Sequence, residues 1–332
     1  MHSPSVAIVG GESLLGKDVR EMLRESDFET RVQLIGADEE EAGRITGEGD
    51  EAVVITPLDR TNLESAGVIL LTGSAAGSRK AWELMKAGPV PIVDVTRALD
   101  DLPSARVRAP YAERGVVERG GSPLIVAHPA AVALALVFEQ LEKFGIRRSL
   151  VEIFEPASER GQGGIDELHQ QTVRLFSFQS LPKEIFDAQL AFALLARFGV
   201  ESPHSLESTE ALVERHLASL LAGRGSRTPM PSLRLVQAPV FHGYSISAWV
   251  ELEEEAGEEA VLGALAANRI DIRAAAEDSP TNVGVAGTDG IIVGNVRRDR
   301  NIHRAFWFWI VTDNLRMSAG NAVELVKQVC AV

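Results

Sequence analysis

His128 and Pro129 interrupt the chain between a short apolar run, Leu124-Ile125-Val126-Ala127, and a stretch of helix formers reaching Leu141. Pro129 fixes its own φ, keeps His128 out of the helical region and can open a helix at its first turn. At such a strand–proline–helix junction a nucleophile gains from the positive end of the helix. Here the first turn offers Ala130, Ala131, Val132 and Ala133, and none of them can attack. A second chemical stretch follows Val6-Ala7-Ile8-Val9. Gly10, Gly11, Ser13, Leu14, Leu15 and Gly16 form a glycine turn that opens a helix, the arrangement that holds a pyrophosphate in a nucleotide-binding βα unit. Glu12 and Leu15 stand where G-x-G-x-x-G needs glycines, and Glu12 would repel a phosphate. Two uses therefore fit the turn, dinucleotide binding or folding alone. Gly11 to Lys17 spells G-x-x-x-x-G-K, but Asp18 replaces the hydroxyl that holds magnesium, which speaks against ATP hydrolysis. About 20 residues past the glycine turn, Asp38 heads Asp38-Glu39-Glu40-Glu41. An acid there can accept from an adenosine ribose and repels a 2′-phosphate, favouring NAD over NADP. A solvated acidic loop reads the same way. No H-E-x-x-H, C-x-x-C or G-x-S-x-G occurs, so neither a metal site nor a hydrolase triad is expected.

The elements that must position these residues follow from hydrophobic period. Buried-strand runs are expected at 6–9, 32–37, 67–73, 91–95 and 124–127, with helices at 13–24, 78–87 and 130–141 and a surface segment at 105–110. Strands alternating with helices argue a parallel, doubly wound sheet. Beyond residue 140 the rhythm changes. A strand at 149–154 leads to a flexible glycine-rich turn at 159–164, then to a helical face of Ile165, Leu168, Thr172 and Leu175. Ser208 can cap a helix carrying Val213, Leu217 and Leu220. Tyr244–Leu252 alternates as a half-buried strand, with further strands at 291–296 and 305–311 and a closing helix at 317–329. The second part is α+β, a mixed or antiparallel sheet with helices on one side.

A chain of 332 residues has room for two cores. Its 45% hydrophobic and 24% charged residues are those of a soluble globular protein. The net charge of −14 argues against nucleic acid or an anionic membrane as a partner, and no uncharged apolar stretch reaches about 18 residues. Acid is concentrated at 38–41, 48–51 and 251–259, stretches expected to be solvated. The single cysteine, Cys330, excludes an intrachain disulfide and reads as a packing residue; with no signal peptide, the cytoplasm is the expected compartment.

Several stretches together carry a resemblance. They are the glycine turn; Ala157-Ser158-Glu159-Arg160-Gly161 followed by Gly164-Ile165-Asp166-Glu167-Leu168; and Ala238-Pro239-Val240-Phe241-His242-Gly243-Tyr244-Ser245. Val293-Gly294-Asn295-Val296-Arg297-Arg298-Asp299, Asp313-Asn314-Leu315-Arg316 and Asn321-Ala322-Val323 complete the set. In this order the chain resembles aspartate-semialdehyde dehydrogenases over nearly its whole length. The resemblance implies a Rossmann-like domain at 1–130, completed by a returning helix at 316–332, and a dimerisation domain at 131–315. It also implies a homodimer.

In that family a cysteine thiolate attacks an aldehyde, hydride passes to NADP and phosphate releases the acyl group. A histidine acts as acid/base, while a glutamine and an arginine orient the intermediate and the substrate. Carried over by position, the nucleophile falls on Ala131, the glutamine on Glu155, the arginine on Gln237 and the histidine on Tyr244. A further substrate- and phosphate-holding arginine falls on Asp100, with Arg97 near it, and the 2′-phosphate ligands fall within Asp38-Glu39-Glu40-Glu41. A methyl group forms no covalent intermediate, and a tyrosine hydroxyl with a pKa of about 10 is a poor proton donor at neutral pH. Arg97, His128 and His242 remain as pocket candidates. The expected function is that of the family's Usg-type branch, which lacks the cysteine: fold, dinucleotide site and dimer kept, dehydrogenase chemistry gone. A mixed dimer with an active homologue is one arrangement it allows. The alternative is an NAD-dependent oxidoreductase of different chemistry on a small aldehyde or ketone, using Tyr244 or His242 with Glu155.

Overall fold

The computed structural model describes residues 4–48, 51–113, 115, 121–274 and 276–331. The chain divides into two compact units, Met1–Ala127 with Ser318–Val332, and His128–Met317.

The first unit runs β1 (Ser5–Val9), α1 (Leu14–Glu25), β2 (Arg31–Ile35), β3 (Ile45–Glu48), β4 (Glu51–Val54), α2 (Arg60–Glu64), β5 (Val68–Leu71), α3 (Ala75–Met85), β6 (Ile92–Asp94), β7 (Arg106–Arg108) and β8 (Leu124–Val126). Six strands form one sheet in the order β2-β1-β5-β6-β8-β7, every pair parallel. Val6 and Ile8 of β1 pack with Val19 and Leu23 of α1, while Ala7 and Val9 pack on the other face with Ala81 and Met85 of α3. Helices on both faces are why these strands are apolar throughout and do not alternate.

Two expectations need correction here. Residues 105–110 are not merely a surface segment: β7 pairs with β8 as the outer strand, and its arginines suit an edge that must not recruit other strands. Helix α3 begins at Ala75 under a Ser74 cap that accepts from Gly77 N. Gly77 lies in this first turn, where a Cβ would fall 2.5 Å from Ala37 O. The acidic stretch 48–51 lies partly outside the described residues, and the backbones of Glu48 and Glu51 face each other across the β3–β4 hairpin.

The second unit contains α4 (Pro129–Leu141), β9 (Ile146–Glu155), α5 (Gly161–Phe176), α6 (Leu206–Gly223), β10 (Ser232–Gln237), β11 (Tyr244–Leu252), α7 (Glu258–Leu265), β12 (Ile270–Ile272), β13 (Ile291–Arg298) and β14 (Ala305–Thr312). Its mixed sheet has the order β10-β9-β11-β14-β13-β12, with β10–β9 and β12–β13 parallel and the rest antiparallel. Helix α4 is apolar and buried on all sides through Phe138, as a central helix must be.

Here too the structure departs from expectation. Residues 159–164 are not a flexible turn: Ala157–Arg160 is a 3-10 turn and α5 starts at Gly161. Gly164 is kept for contact, because a Cβ there would meet Ala157 O at 2.3 Å. The buried face of α5 is Gly164, Glu167, Leu168 and Gln171, so it is half polar where Ile165, Thr172 and Leu175 were expected inside. The cap of α6 is Ser205, whose Oγ accepts from Ser208 N. Glu251 is buried rather than solvated, and holds Arg148 Nε at 2.5 Å and Arg147 Nη1 at 3.3 Å.

The last helix, α8 (Asn314–Ala331), returns to the first unit, where Ala319, Ala322, Val323, Val326 and Val329 join the core formed with Val19 and Leu23. Cys330 packs, partly buried, against the same core. Among the described residues no helix is long and apolar enough to cross a membrane, and no group of side chains is placed to hold a metal ion.

Candidate functional site

In the first unit β1 and β5 lie side by side, yet their chain neighbours depart in opposite directions across the sheet, which makes their carboxyl ends the switch point where doubly wound folds bind ligands. Helix α1 begins there after Gly10, whose φ of +81° and would-be Cβ, 2.2 Å from Gly73 Cα, both require glycine. Ser13 caps α1, accepting from Gly16 N at 2.9 Å and donating to Thr72 O at 2.7 Å. Leu14 and Leu15 occupy the first two helical positions, whose amides have no partner within a helix. Glu12 does not face them with a bare charge: its Oε1 accepts from Arg20 Nη1 at 2.5 Å and from Thr46 Oγ1 at 2.9 Å. Gly11 and Gly16 are tightly packed, a Cβ on Gly16 falling 2.5 Å from Gly10 O. Asp38, exposed at the end of β2, accepts from Glu40 N and Glu41 N through Oδ1, and Glu41 Oε2 caps Ala37 N at 2.7 Å. The chemistry of these groups suits a dinucleotide: two helical amides could donate to a pyrophosphate, and the Asp38 carboxylate could accept from a ribose hydroxyl. Arg97 also belongs to this unit. It takes a φ of 63° after β6, and its N–H donates to Asp94 Oδ1. Asp94 further accepts from the Thr96 hydroxyl and from the amides of Thr96 and Leu99. Burial nevertheless holds its carboxyl above the usual aspartate range.

In the second unit a polar cluster is buried at the start of α4. His128 is the cap of that helix: Ala130 N donates to His128 Nδ1 at 3.3 Å, which leaves the ring proton on Nε2. Nε2 lies 3.3 Å from Tyr244 Oη, and Tyr244 Oη donates to Glu155 Oε2 at 3.2 Å. Arg160 Nη2 donates to Glu155 Oε1 at 2.5 Å and to Thr209 Oγ1 at 3.0 Å. Hydrogen bonds thus run one way, from imidazole to phenol to carboxylate, and a guanidinium compensates the charge at the end. Gln237 Nε2 donates to the carbonyls of Glu155 at 2.8 Å and Ala238 at 3.2 Å. Asn314 ties three chain segments together. Its Nδ2 donates to Ser158 Oγ and Glu159 Oε1, and its Oδ1 accepts from Gly243 N. His128, Ala131, Glu155, Gln237 and Tyr244 all have 0% exposure.

The structure therefore brings His128, Glu155 and Tyr244 into one network and sets Gln237 against the backbone of Glu155. Ala131 stands one residue beyond the amide that His128 caps. His242, half exposed in the turn before β11, engages its carbonyl with Asn282 Nδ2. Sequence reasoning missed Arg160, Thr209 and Asn314 as members. The signal for Arg160 and Asn314 was their presence in two of the stretches that carry the resemblance; Thr209 has none.

Residues 139–317, more than half of the chain, match the semialdehyde dehydrogenase dimerisation domain. The chain belongs to the semialdehyde dehydrogenase family. It is 30% identical to a USG-1 protein homolog of Pseudomonas aeruginosa, over 97% of this chain and 96% of that protein. It is 25% identical to an aspartate-semialdehyde dehydrogenase of Rickettsia bellii, over 98% and 97%. The solved structure of a probable aspartate-semialdehyde dehydrogenase from Pseudomonas aeruginosa superposes with a TM-score of 0.88 at 28% identity, covering 99% of both chains. In this member of the semialdehyde dehydrogenase family, the parallel sheet, mixed sheet and returning C-terminal helix follow the fold of that relative.

Proposed function

We propose that this protein keeps the dinucleotide-binding fold and the dimer of the semialdehyde dehydrogenase family without its aldehyde chemistry. One observation carries the reading. Where the resemblance places nucleophile, glutamine and acid/base, the chain has Ala131, Glu155 and Tyr244, fully buried, and Glu155 and Tyr244 bond each other, His128 and Arg160. Covalent acyl transfer needs an activated nucleophile, and a methyl group supplies none. Ser158 does not substitute, since its hydroxyl is engaged with Asn314 on both sides, donating to Oδ1 and accepting from Nδ2. Gln237 lacks the charge-assisted, two-pronged grip that an arginine gives a carboxylate.

The ligand of the first unit is NAD in preference to NADP. Leu14 and Leu15 amides and Ser13 would hold its pyrophosphate, Asp38 its ribose, and the acids at 38–41 oppose a 2′-phosphate. Bound NAD would supply a hydride acceptor. Its place here is a regulatory or structural ligand of a cytoplasmic homodimer, or of a mixed dimer with an active homologue. Thermal unfolding with millimolar NAD, NADP and adenine nucleotides tests this, because a ligand of the native state raises the melting temperature. A rise with NAD exceeding that with NADP is expected, and no response to any of them contradicts it.

A second reading rests on the His128–Tyr244–Glu155 chain, which is built like a proton relay. On it the protein is an NAD-dependent oxidoreductase that moves hydride without a covalent intermediate. Turnover of NADH with a panel of small aldehydes and ketones, abolished by Tyr244→Phe, would select this reading over the first.

A further inference from the structure

Arg20 is a buried cation, 9% exposed, on the face of α1 that also buries Val19 and Leu23. A guanidinium leaves water only where its N–H groups find acceptors. These acceptors come from two separate pieces of chain. Nη1 donates to Gly11 O at 3.3 Å and to Glu12 Oε1 at 2.5 Å, both in the glycine turn. Nη2 donates to Gly47 O in β3, and the neighbouring Thr46 hydroxyl donates to the same Glu12 Oε1 at 2.9 Å.

The bond to Gly11 O decides where the turn aims its donors. A trans peptide is planar, so the carbonyl of Gly11 and the N–H of Glu12 point in opposite directions. Holding that carbonyl on Arg20 turns the Glu12 N–H away from the guanidinium. Among the described residues this N–H makes no hydrogen bond. It is therefore a third donor beside the amides of Leu14 and Leu15, and successive backbone N–H groups of this kind are what encloses a phosphate.

The guanidinium is itself aimed by the hairpin. Strands β3 and β4 form a sheet of their own, and Thr56 beyond β4 meets the large sheet in an isolated bridge with Ile35. A cleft lined by Lys17, Arg24 and Thr46 opens between α1 and β3, and Arg20 spans it. A planar guanidinium with a fixed fork of donors holds one orientation when it is bonded on two sides. Gly47 O fixes one side and the turn the other, so a shift of β3 tilts the Gly11–Glu12 peptide.

We propose that Arg20 is a positioning residue for the glycine turn and that the β3–β4 hairpin sets its aim, so that turn and hairpin become ordered together when a pyrophosphate binds. The proposal rests on the reading of the first unit as a dinucleotide site.

Titration of the full chain with ADP-ribose, which carries the pyrophosphate, and with adenosine, which does not, tests it. Arg20→Met weakens ADP-ribose about tenfold and leaves adenosine within about twofold. Thr46→Val removes a hairpin contact, leaves every charge in place and weakens ADP-ribose about threefold. Arg20→Met combined with Glu12→Gln stays weak, although no bare carboxylate is left in the turn. Hydrogen exchange at Thr46, Gly47 and Val54 slows when ADP-ribose binds the wild type, and does not slow in Arg20→Met. Wild-type affinity in the double variant overturns the proposal, because Arg20 then only neutralises Glu12. A parallel loss of adenosine binding overturns it too, because Arg20 then only supports the fold. If the wild type binds ADP-ribose and both single variants bind it equally well, the proposal alone fails. If the wild type does not bind it at all, the dinucleotide reading fails and the proposal with it.

Discussion

Glu155 brings a negative charge to a site with no exposure, and Arg160, its side chain only 10% exposed, is the cation beside it. Removing one member of a buried pair leaves the other charge uncompensated, so Arg160→Met should cost about 3–5 kcal/mol in urea unfolding. Adding Glu155→Gln should recover most of that loss. If the double variant is no more stable than Arg160→Met, Glu155 is not the charge that Arg160 serves. Tyr244→Phe removes the hydroxyl between His128 Nε2 and Glu155 Oε2 and should cost about 1–3 kcal/mol. A pH test belongs to Asp299, whose carboxyl is held below its usual range by the amides of Asn301 and Ile302 and by the Trp307 and Trp249 indoles. A depressed native pKa stabilises the fold above the unfolded value and is lost as acid titrates the native carboxylate. Asp299→Asn should therefore flatten the decline of stability below about pH 4, and tryptophan emission reads it. At this scale the sequence names the residues at the positions the resemblance implies, and not the bonds they make. Ala131 stands plainly in a run of alanines. The bond from Arg160 to Glu155 depends on a 3-10 turn that the glycines of 161–164 made look like loose coil.

Gly16 and Gly164 are both kept for close approach rather than for freedom, although Gly16 lies in a helix that period had already found. Gly16 lies in the middle of the first turns of α1 because its missing Cβ would strike Gly10 O and Gly11 Cα, both backbone atoms that cannot swing aside. Gly16→Ala should therefore destabilise by about 1–3 kcal/mol, as overpacking does, even though alanine is the better helix former. A gain in stability would mean that the contact relaxes freely. The buried face of α5 misled the reading. A hydrophobic stripe was sought, and the helix instead buries Glu167 and Gln171 to satisfy a loop's backbone. Limited proteolysis of Gln171→Leu should show new cleavage within 180–195, because four backbone groups lose their partner. Wild-type resistance would show that the loop is held by other contacts. The apolar strands of the first unit and the alternating Tyr244–Leu252 needed no such detail, since period alone carries them.

The whole molecule was legible as a sequence of pieces: a doubly wound parallel sheet, a mixed sheet, and a last helix whose apolar positions join the first core. Period and order suffice for this because parallel strands need crossover helices and leave few alternatives. The pairing of β3 with β4 was not foreseen, the acidic stretch 48–51 reading as solvated loop. Neither was the edge strand β7, too short and too charged to show a period. On this account the fold and its assembly persist while the covalent chemistry does not. Intact-protein mass spectrometry after incubation with aspartate semialdehyde and either NAD or NADP tests that most directly. The account predicts an unchanged mass for the wild-type chain, and for Ala131→Cys no restored dehydrogenase turnover, because Glu155, Gln237 and Tyr244 still occupy the other roles. A covalent acyl adduct on the wild-type protein would contradict it.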